Sequence, residues 1–185
     1  MSLALKLTVA EYDAMVAKGA FDDLNQKIEL IYGEIQAMNP AGPVHDYYIE
    51  LLNQWSVRNA APEQTSVRVQ SGLSLPELDS RPEPDIAWVK PRRYVDRHPG
   101  SEDVQLIIEV SDSSLPKDRD TKAGLYAKAG IVEYWIVNVA EECIHVYQKP
   151  GSDSYTELKT FAAGNSVAPL IRPEATLDPG QLFHG

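Results

Sequence analysis

The segment Gln105–Ser111, with the sequence QLIIEVS, sets one acidic residue inside an otherwise apolar run. Its leucine, two isoleucines and valine leave neither face polar, which predicts a β-strand covered on both sides. An ionised carboxylate at Glu109 is costly in such a strand unless a cation or hydrogen-bond donors meet it. We therefore expect the fold to bring partners to Glu109, and this requirement limits how the rest of the chain can be arranged.

Hydrophobic periodicity and turn residues predict the remaining elements. The predicted helices are Thr8–Lys18, which opens with a T-x-x-E capping box, His45–Asn59 and Lys117–Ala129. The predicted strands are the hairpin Lys27–Met38, then Ser66–Leu75, Asp85–Val89, Gln105–Ser111 and Val132–Asn138, and a second hairpin of Glu142–Gln148 and Tyr155–Phe161. A turn is expected at Ser113–Pro116, and the proline-containing tail is expected to lie over the core as short extended pieces.

The strand–helix–strand unit over residues 105–138 predicts a right-handed crossover in a mixed sheet. Because the chain shows no internal repeat or interdomain linker, residues 1–185 are expected to form a single α/β domain. No apolar run approaches the roughly 20 residues of a transmembrane helix, and the N-terminus is a poor signal peptide, so no membrane partner is expected. The single cysteine, Cys143, fits a reducing cytoplasm and is expected to pack as a small hydrophobe, with His145 on the same strand face interpreted as structural.

The chain is acidic, with a formal net charge of −10. This charge argues against a broad, non-specific nucleic-acid-binding surface, which is normally basic. It leaves a nuclease open, because part of the negative charge can be concentrated where divalent cations bind. The alternative is that the acids only keep the protein soluble.

Lys122 and Asp85 are the two candidate partners of Glu109 nearest to it in the sequence. In the predicted helix, Lys122 shares a face with Leu125 and Tyr126, so it lies at the inner edge of the apolar stripe. It either snorkels outward to solvent or reaches back to the carboxylate of the preceding strand. Asp85 follows Pro84 at a strand start, where it is either a turn or cap residue or a member of the same site.

Two carboxylates from adjacent strands would make a hard, oxygen-only site, which suits Mg²⁺ or Mn²⁺ rather than zinc. Such an ion can position a water molecule, lower its pKa and neutralise charge on a phosphate oxygen. A nearby lysine can stabilise the transition state or help to orient the nucleophile. The residues therefore suggest a metal-dependent phosphodiesterase site.

At this point the sequence resembles a known family. The order Asp85, then Glu109 and Val110, then Lys122 is similar to that of the PD-(D/E)XK nuclease superfamily and, more closely, to that of the Uma-type (Uma-two) endonucleases, a bacterial group. The matching pieces run in family order over about residues 8–148 and are IELIYGEI, His45 at the opening of a helix, PEPDIAWV, LIIEVSDSS and KAGLYAKAGIVEYWIVN. The last piece is specific, whereas a Pro-Asp pair alone would be a weak signal.

The resemblance implies a restriction-endonuclease-like fold, a mixed β-sheet core flanked by helices, with additional N-terminal and C-terminal β-hairpins. It also implies Asp85, Glu109 and Val110 at the metal site and Lys122 as the catalytic lysine. The superfamily's usual lysine, two residues after the glutamate, is replaced by Ser111, and the Uma-type pattern instead takes its lysine from the following helix. Asp112 stands where the family usually has a Ser-Pro turn. It is either a further metal ligand or a helix cap, and we favour the cap.

Two further residues are candidates for the catalytic site. The resemblance makes Glu29, in the first hairpin, an auxiliary acid, although an exposed hairpin acid is an equal alternative. His45 either contacts a phosphate or the water at the metal, or only begins its helix.

We therefore predict a cytoplasmic, Mg²⁺- or Mn²⁺-dependent endonuclease that hydrolyses phosphodiester bonds in nucleic acid. DNA is the substrate that we favour. A homodimer would suit paired cleavage of a duplex. The alternative is a non-catalytic acidic module that keeps the nuclease fold for binding or oligomerisation, which the missing lysine and the acidity favour. The two differ in geometry, because a catalytic site needs Asp85, Glu109 and Lys122 to converge.

Overall fold

The computed structural model describes residues 5–38, 40–112 and 121–185 of the chain. Within these residues, six strands form one sheet whose spatial order follows the sequence order. The strands are β3 (Ser66–Val69), β4 (Ile86–Val89), β5 (Val104–Ser111), β6 (Glu133–Asn138), β7 (Cys143–Pro150) and β8 (Tyr155–Phe161). Among the described helices, none has the length and apolar character needed to cross a membrane.

The sheet is mixed, as predicted. Neighbouring strands pair antiparallel except β5 and β6, which are parallel. Parallel neighbours need a crossover connection, and this one carries the short helix α3 (Ala123–Lys128). The crossover therefore returns Lys122 and its helix to the face of the strand that contains Glu109.

The N-terminal part contributes one helix and a two-stranded hairpin that lie outside the six-stranded sheet. Helix α1 (Val9–Ala17) begins at the predicted capping box, in which Thr8 and Glu11 bond each other's backbone N–H. Strands β1 (Ile28–Ile31) and β2 (Glu34–Ala37) are joined by Tyr32 and Gly33, which both have positive φ, as a two-residue hairpin turn of this kind requires. The predicted N-terminal hairpin is thus confirmed.

The sheet is covered on both faces by helices. On one face, helix α2 (Pro43–Asn59) packs Leu52 into a core that includes Ile108 of β5. On the other face, α3 packs Leu125 and Tyr126 into a second core around Ile107. Side chains alternate along a strand, so Glu109 lies on the same face as Ile107, beneath α3. Strand β5 is therefore buried on both sides, which is the environment that its sequence predicts.

The structure also differs from the sequence predictions at several boundaries. Helix α2 begins two residues earlier than predicted, because Pro43 is tolerated in a first helical turn. Strand β3 ends at Val69, well before the predicted Leu75, since Gln70 adopts a positive φ of 42° that interrupts extended pairing. The predicted turn at Ser113–Pro116, and the part of the predicted helix that precedes residue 121, lie outside the described residues.

The C-terminal region differs from the prediction in its tail and contains the predicted hairpin. The tail contains an extended contact, in which Val167 pairs with Leu177, but it ends in a helix, α4 (Pro179–His184), rather than in extended pieces alone. Asp178 caps this helix and Pro179 takes its first position, where a proline is well tolerated, so this part of the tail is helical instead of extended. The C-terminal hairpin of β7 and β8 continues the main sheet and forms its edge.

Candidate active site

Asp85 and Glu109 are locked together where β4 meets β5. Because Ile86 pairs with Ile108 in this antiparallel ladder, Asp85 comes opposite Glu109. The Asp85 N–H donates to Glu109 Oε2 at 3.2 Å, and the Val110 N–H donates to Asp85 Oδ2 at 2.8 Å. Each acid therefore accepts a hydrogen bond from the backbone beside the other, which fixes both carboxylates at one position of the sheet.

Lys122 reaches this pair of acids from the crossover. Its Nζ donates to Glu109 Oε1 at 2.8 Å and lies 3.7 Å from Glu29 Oε2. The lysine side chain is only 6% exposed, so it points inward and does not snorkel to solvent. The Tyr126 hydroxyl, one helical turn further on, donates to the same Glu109 oxygen at 3.2 Å.

Two elements of the N-terminal half, helix α2 and strand β1, bring His45 and Glu29 to the site. His45 lies in the first turn of α2, and its Nε2 is 3.2 Å from Asp85 Oδ2. An ionised carboxylate can only accept hydrogen bonds, so this contact requires a proton on Nε2 of His45. Glu29 is 1% exposed, which overturns the reading of Glu29 as an exposed hairpin acid and places it beside Lys122.

The environment of Asp85 favours its charged form. Burial by itself would raise the pKa of this carboxyl group, but the hydrogen bond and the charge of His45 lower it. The Val110 N–H and the charge of Lys122 lower it further, and the resulting pKa of Asp85 lies below its ordinary value. Asp85 is therefore ionised at neutral pH, as a metal-ligating carboxylate must be.

All six residues that the sequence assigned to the site line one cavity of about 410 Å³. They are Glu29, His45, Asp85, Glu109, Val110 and Lys122. The wall also includes Asp112, for which the sequence favoured a capping role, as well as Lys27 and Gln70, which the sequence analysis did not select. Tyr126 was also not selected as a site residue, although its i+4 spacing from Lys122 on an inward helix face was a usable signal.

The donors in this cavity fit a hard divalent cation. Asp85 and Glu109 offer carboxylate oxygens, and Val110, which has an apolar side chain, offers its carbonyl oxygen. An all-oxygen set of this kind matches the preference of Mg²⁺ and Mn²⁺. Lys122 and Tyr126 share Oε1 of Glu109, so a cation at this glutamate would approach from the Oε2 side, which faces Asp85.

A mixed sheet that carries interlocked acids on its antiparallel β4–β5 pair, with a lysine supplied by the crossover, defines a restriction-endonuclease-like protein. The comparison of sequences identifies the group within this class. The chain belongs to the Uma2 family, described as "Putative restriction endonuclease", which it matches over residues 9–179. The family resemblance noted from the sequence motifs is thereby confirmed.

One solved structure shows the same fold at low sequence identity. It is the crystal structure of a "putative nuclease belonging to DUF820" from Anabaena variabilis ATCC 29413. The two chains share 17% identity with a TM-score of 0.72, and the match covers 96% of this chain and 97% of that one. No curated protein sequence matches the chain. The family and the fold together are those of a nuclease.

Proposed function

We propose that this protein is a Mg²⁺- or Mn²⁺-dependent endonuclease that hydrolyses phosphodiester bonds in DNA. The observation that carries the proposal is the convergence of Asp85, Glu109 and Lys122 in one cavity, joined by hydrogen bonds of 2.8–3.2 Å. A scaffold that had lost catalysis would have no need to keep two buried carboxylates and a buried ammonium in contact, since burying such charges is costly.

Each residue of the set has a role that follows from its position. Asp85, Glu109 and the Val110 carbonyl would hold the ion, which would supply an activated water molecule and neutralise charge on the phosphate. Lys122 is held by Glu109 and Glu29, so its ammonium is positioned to stabilise charge that develops on a phosphate oxygen. His45 bonds Asp85 and lines the same cavity, where a protonated Nε2 orients that carboxylate.

Cleavage of supercoiled plasmid DNA and of single-stranded DNA in Mg²⁺ or Mn²⁺ tests this proposal directly. Glu109→Gln and Asp85→Asn should each lower the single-turnover rate by at least about 10²-fold, because each removes a charged oxygen ligand. Lys128→Met controls for removing a charge outside the cavity, since Lys128 ends helix α3 and pairs with exposed Asp153. A parent protein that cleaves neither substrate, or variants that cleave as fast as the parent, would contradict the proposal.

The non-catalytic alternative makes a different prediction for metal binding. If Mg²⁺ binds the folded state only, a concentration about 100 times its Kd should stabilise the protein by roughly 2.7 kcal/mol. This gain should be absent in Asp85→Asn and Glu109→Gln. Metal-dependent stabilisation without cleavage would identify a binding module that retains the ion site, whereas neither effect would remove the metal assignment altogether.

The proposal also includes the protein's domain organisation, oligomeric state and location. Residues 1–185 are proposed to form one domain, because the cavity draws on the N-terminal hairpin, α2 and the central strands together. A homodimer is proposed for paired cleavage of a duplex, and sedimentation velocity with and without DNA tests it. The single cysteine suits the reducing cytoplasm proposed as its location.

A further inference from the structure

A second cluster of metal-ligating side chains lies at the turn between β6 and β7, outside the cavity. Cys143 and His145 are two residues apart on β7 and therefore point to the same face of the sheet. Glu141 comes from the turn itself. Cys143 Sγ is 3.7 Å from His145 Nε2, and both atoms lie 3.9 Å from Glu141 Oε2.

The surrounding residues hold these side chains in place. His145 Nδ1 lies 3.0 Å from the hydroxyl of Thr160 on β8, so Nε2 is the ring nitrogen directed at the cluster. Asn138 Oδ1 accepts the Glu141 N–H at 3.1 Å, which fixes the turn, and Asn138 Nδ2 is 3.5 Å from His145 Nε2. An imidazole whose second nitrogen is bonded to a neighbour is the usual arrangement around a protein metal ion.

The three donor types select a different ion from the one proposed for the cavity. Thiolate, imidazole and carboxylate together suit Zn²⁺, with bond lengths of about 2.3, 2.0–2.1 and 2.0–2.2 Å. Tetrahedral bonds of these lengths place the ligand atoms roughly 3.3–3.6 Å apart. The observed separations of 3.7–3.9 Å need a contraction of only a few tenths of an ångström.

We propose that Glu141, Cys143 and His145 form a binding site for a thiophilic divalent ion of the zinc class, with a water molecule as the fourth ligand. Glu141 is exposed while the other two residues are buried, so the cluster faces solvent on the glutamate side. Binding replaces the S–H bond of Cys143 with a sulfur–metal bond, and the proton passes to solvent. The ion fastens the β6–β7 turn to β7.

This site is distinct from the acidic cavity. His145 pairs with Ile136, which pairs with Glu109 on the next strand, so the two sites lie two strands apart, roughly 10 Å at the usual strand spacing. Their donor chemistry also differs, since the ligands proposed in the cavity, from Asp85, Glu109 and Val110, are all oxygen atoms. The proposal therefore stands or fails independently of the nuclease assignment.

Cobalt(II) titration of the metal-free protein tests the proposal, because a cobalt–thiolate bond gives a near-ultraviolet charge-transfer band. Cys143 is the chain's single cysteine, so any such band reports on this residue. We expect a band that rises to saturation with added Co²⁺, that Zn²⁺ abolishes by displacement, and that is absent in Cys143→Ser. Because Glu141 is exposed, Glu141→Gln should fold normally and still weaken Co²⁺ affinity at least about tenfold, as should His145→Gln.

Two controls make the result specific. Glu142→Gln alters the neighbouring exposed acid, which pairs with His184 instead of the cluster, and it should leave the titration unchanged. Asp85→Asn, in the acidic cavity, should also leave the cobalt band unchanged. The proposal is overturned if the parent protein gives no band, or if either Glu141→Gln or His145→Gln binds Co²⁺ as tightly as the parent.

Discussion

Two regions of the central sheet bury acidic side chains and stabilise them in opposite ways. In the cavity, Asp85 and Glu109 have a buried lysine and a histidine as partners, and the pKa of Asp85 is lowered. At the start of β6, Glu133 accepts hydrogen bonds from Trp135 Nε1 at 3.0 Å and Gln148 Nε2 at 2.8 Å. Its other oxygen accepts from the Leu170 N–H at 2.7 Å.

The recorded partners of Glu133 are neutral donors, and the direction of its pKa shift reflects this. Burial raises the pKa of Glu133, and the three N–H donors offset that effect only in part. Glu133 is 0% exposed and Glu109 is 3% exposed, so burial does not distinguish them. A buried acid in an apolar strand is therefore not by itself a sign of a functional site. The charged partners, and not the burial, separate the cavity from a structural acid that holds the C-terminal segment at Leu170.

The largest effect expected from this difference is a loss of stability when the ammonium group of Lys122 is removed from the cavity. Lys122→Met keeps most of the packing but leaves Glu109 and Glu29 buried without their recorded ammonium partner. Breaking a buried ion pair from one side costs about 3–5 kcal/mol, and denaturant unfolding of the metal-free protein measures this loss. Volume alone would predict a cost below about 1.5 kcal/mol for so conservative a change.

The double variant Lys122→Met/Glu109→Gln separates charge from packing. Because it removes the unpaired carboxylate as well, it should recover a substantial part of the lost stability in a double-mutant cycle. Lys128→Met, at a more exposed site on the same helix, should change the free energy of unfolding by less than about 1 kcal/mol. If Lys122→Met costs no more than Lys128→Met, the lysine does not compensate the buried acids and the contrast with Glu133 disappears.

A smaller effect is expected at Glu133, and its sign depends on pH. Because the folded-state pKa is raised above the ordinary value of 4.5, the folded protein binds this proton more tightly than the unfolded chain does. The stabilising contribution is therefore fully present below pH 4.5 and is lost as the pH rises through the folded-state pKa. Each pKa unit corresponds to about 1.4 kcal/mol.

Glu133→Gln should remove this pH dependence. The amide nitrogen of glutamine cannot accept the Leu170 N–H, so at acidic pH the variant should be less stable by about 1–3 kcal/mol. That deficit should shrink as the pH rises, because only the parent then carries a buried charge. Urea unfolding of both proteins across the acidic to neutral range measures the difference. A deficit that grows with pH would show that Glu133 is held in its ionised form, as Asp85 is.

The sequence predicted those parts of the structure that depend on local signals. The capping box at Thr8 and Glu11, the Tyr32-Gly33 hairpin and the apolar strand around Glu109 are each encoded within a few residues, and the structure contains them. Helical spacing placed Lys122 at the inner edge of the apolar stripe and left open whether it snorkels outward, and the structure shows it buried. The family resemblance then supplied the class of fold, which spacing alone had left as a mixed α/β sheet.

The remaining contacts join distant parts of the chain and leave no local pattern. The two hydrogen bonds that join Asp85 to the Glu109 carboxylate and to the Val110 N–H span 24 and 25 residues and depend on strand register. Glu133 was predicted only as one residue of the strand Val132–Asn138, because its partner Leu170 lies 37 residues away in the tail. The cluster of Glu141, Cys143 and His145 was missed because its turn residue is not part of the strand pattern that predicted β7.

The smallest effect is expected at an acid outside both regions, and it tests whether burial matters to the comparison. Glu157 on β8 contacts Lys149 at 2.9 Å and Lys159 at 2.6 Å, and these hydrogen bonds lower its pKa to about 2. Its contribution to stability is present above the ordinary value of 4.5 and is lost as the pH falls towards 2.

Both lysines are exposed, at 75% and 56%, so solvent and salt screen the pair. Glu157→Gln should therefore leave the urea midpoint at neutral pH unchanged within error in about 1 M salt, where the Debye length is about 3 Å. A clear loss of stability that persists in high salt would mean that charged partners stabilise an exposed acid as well as a buried one, so burial would not be needed for the stabilisation that Lys122 and His45 provide in the cavity.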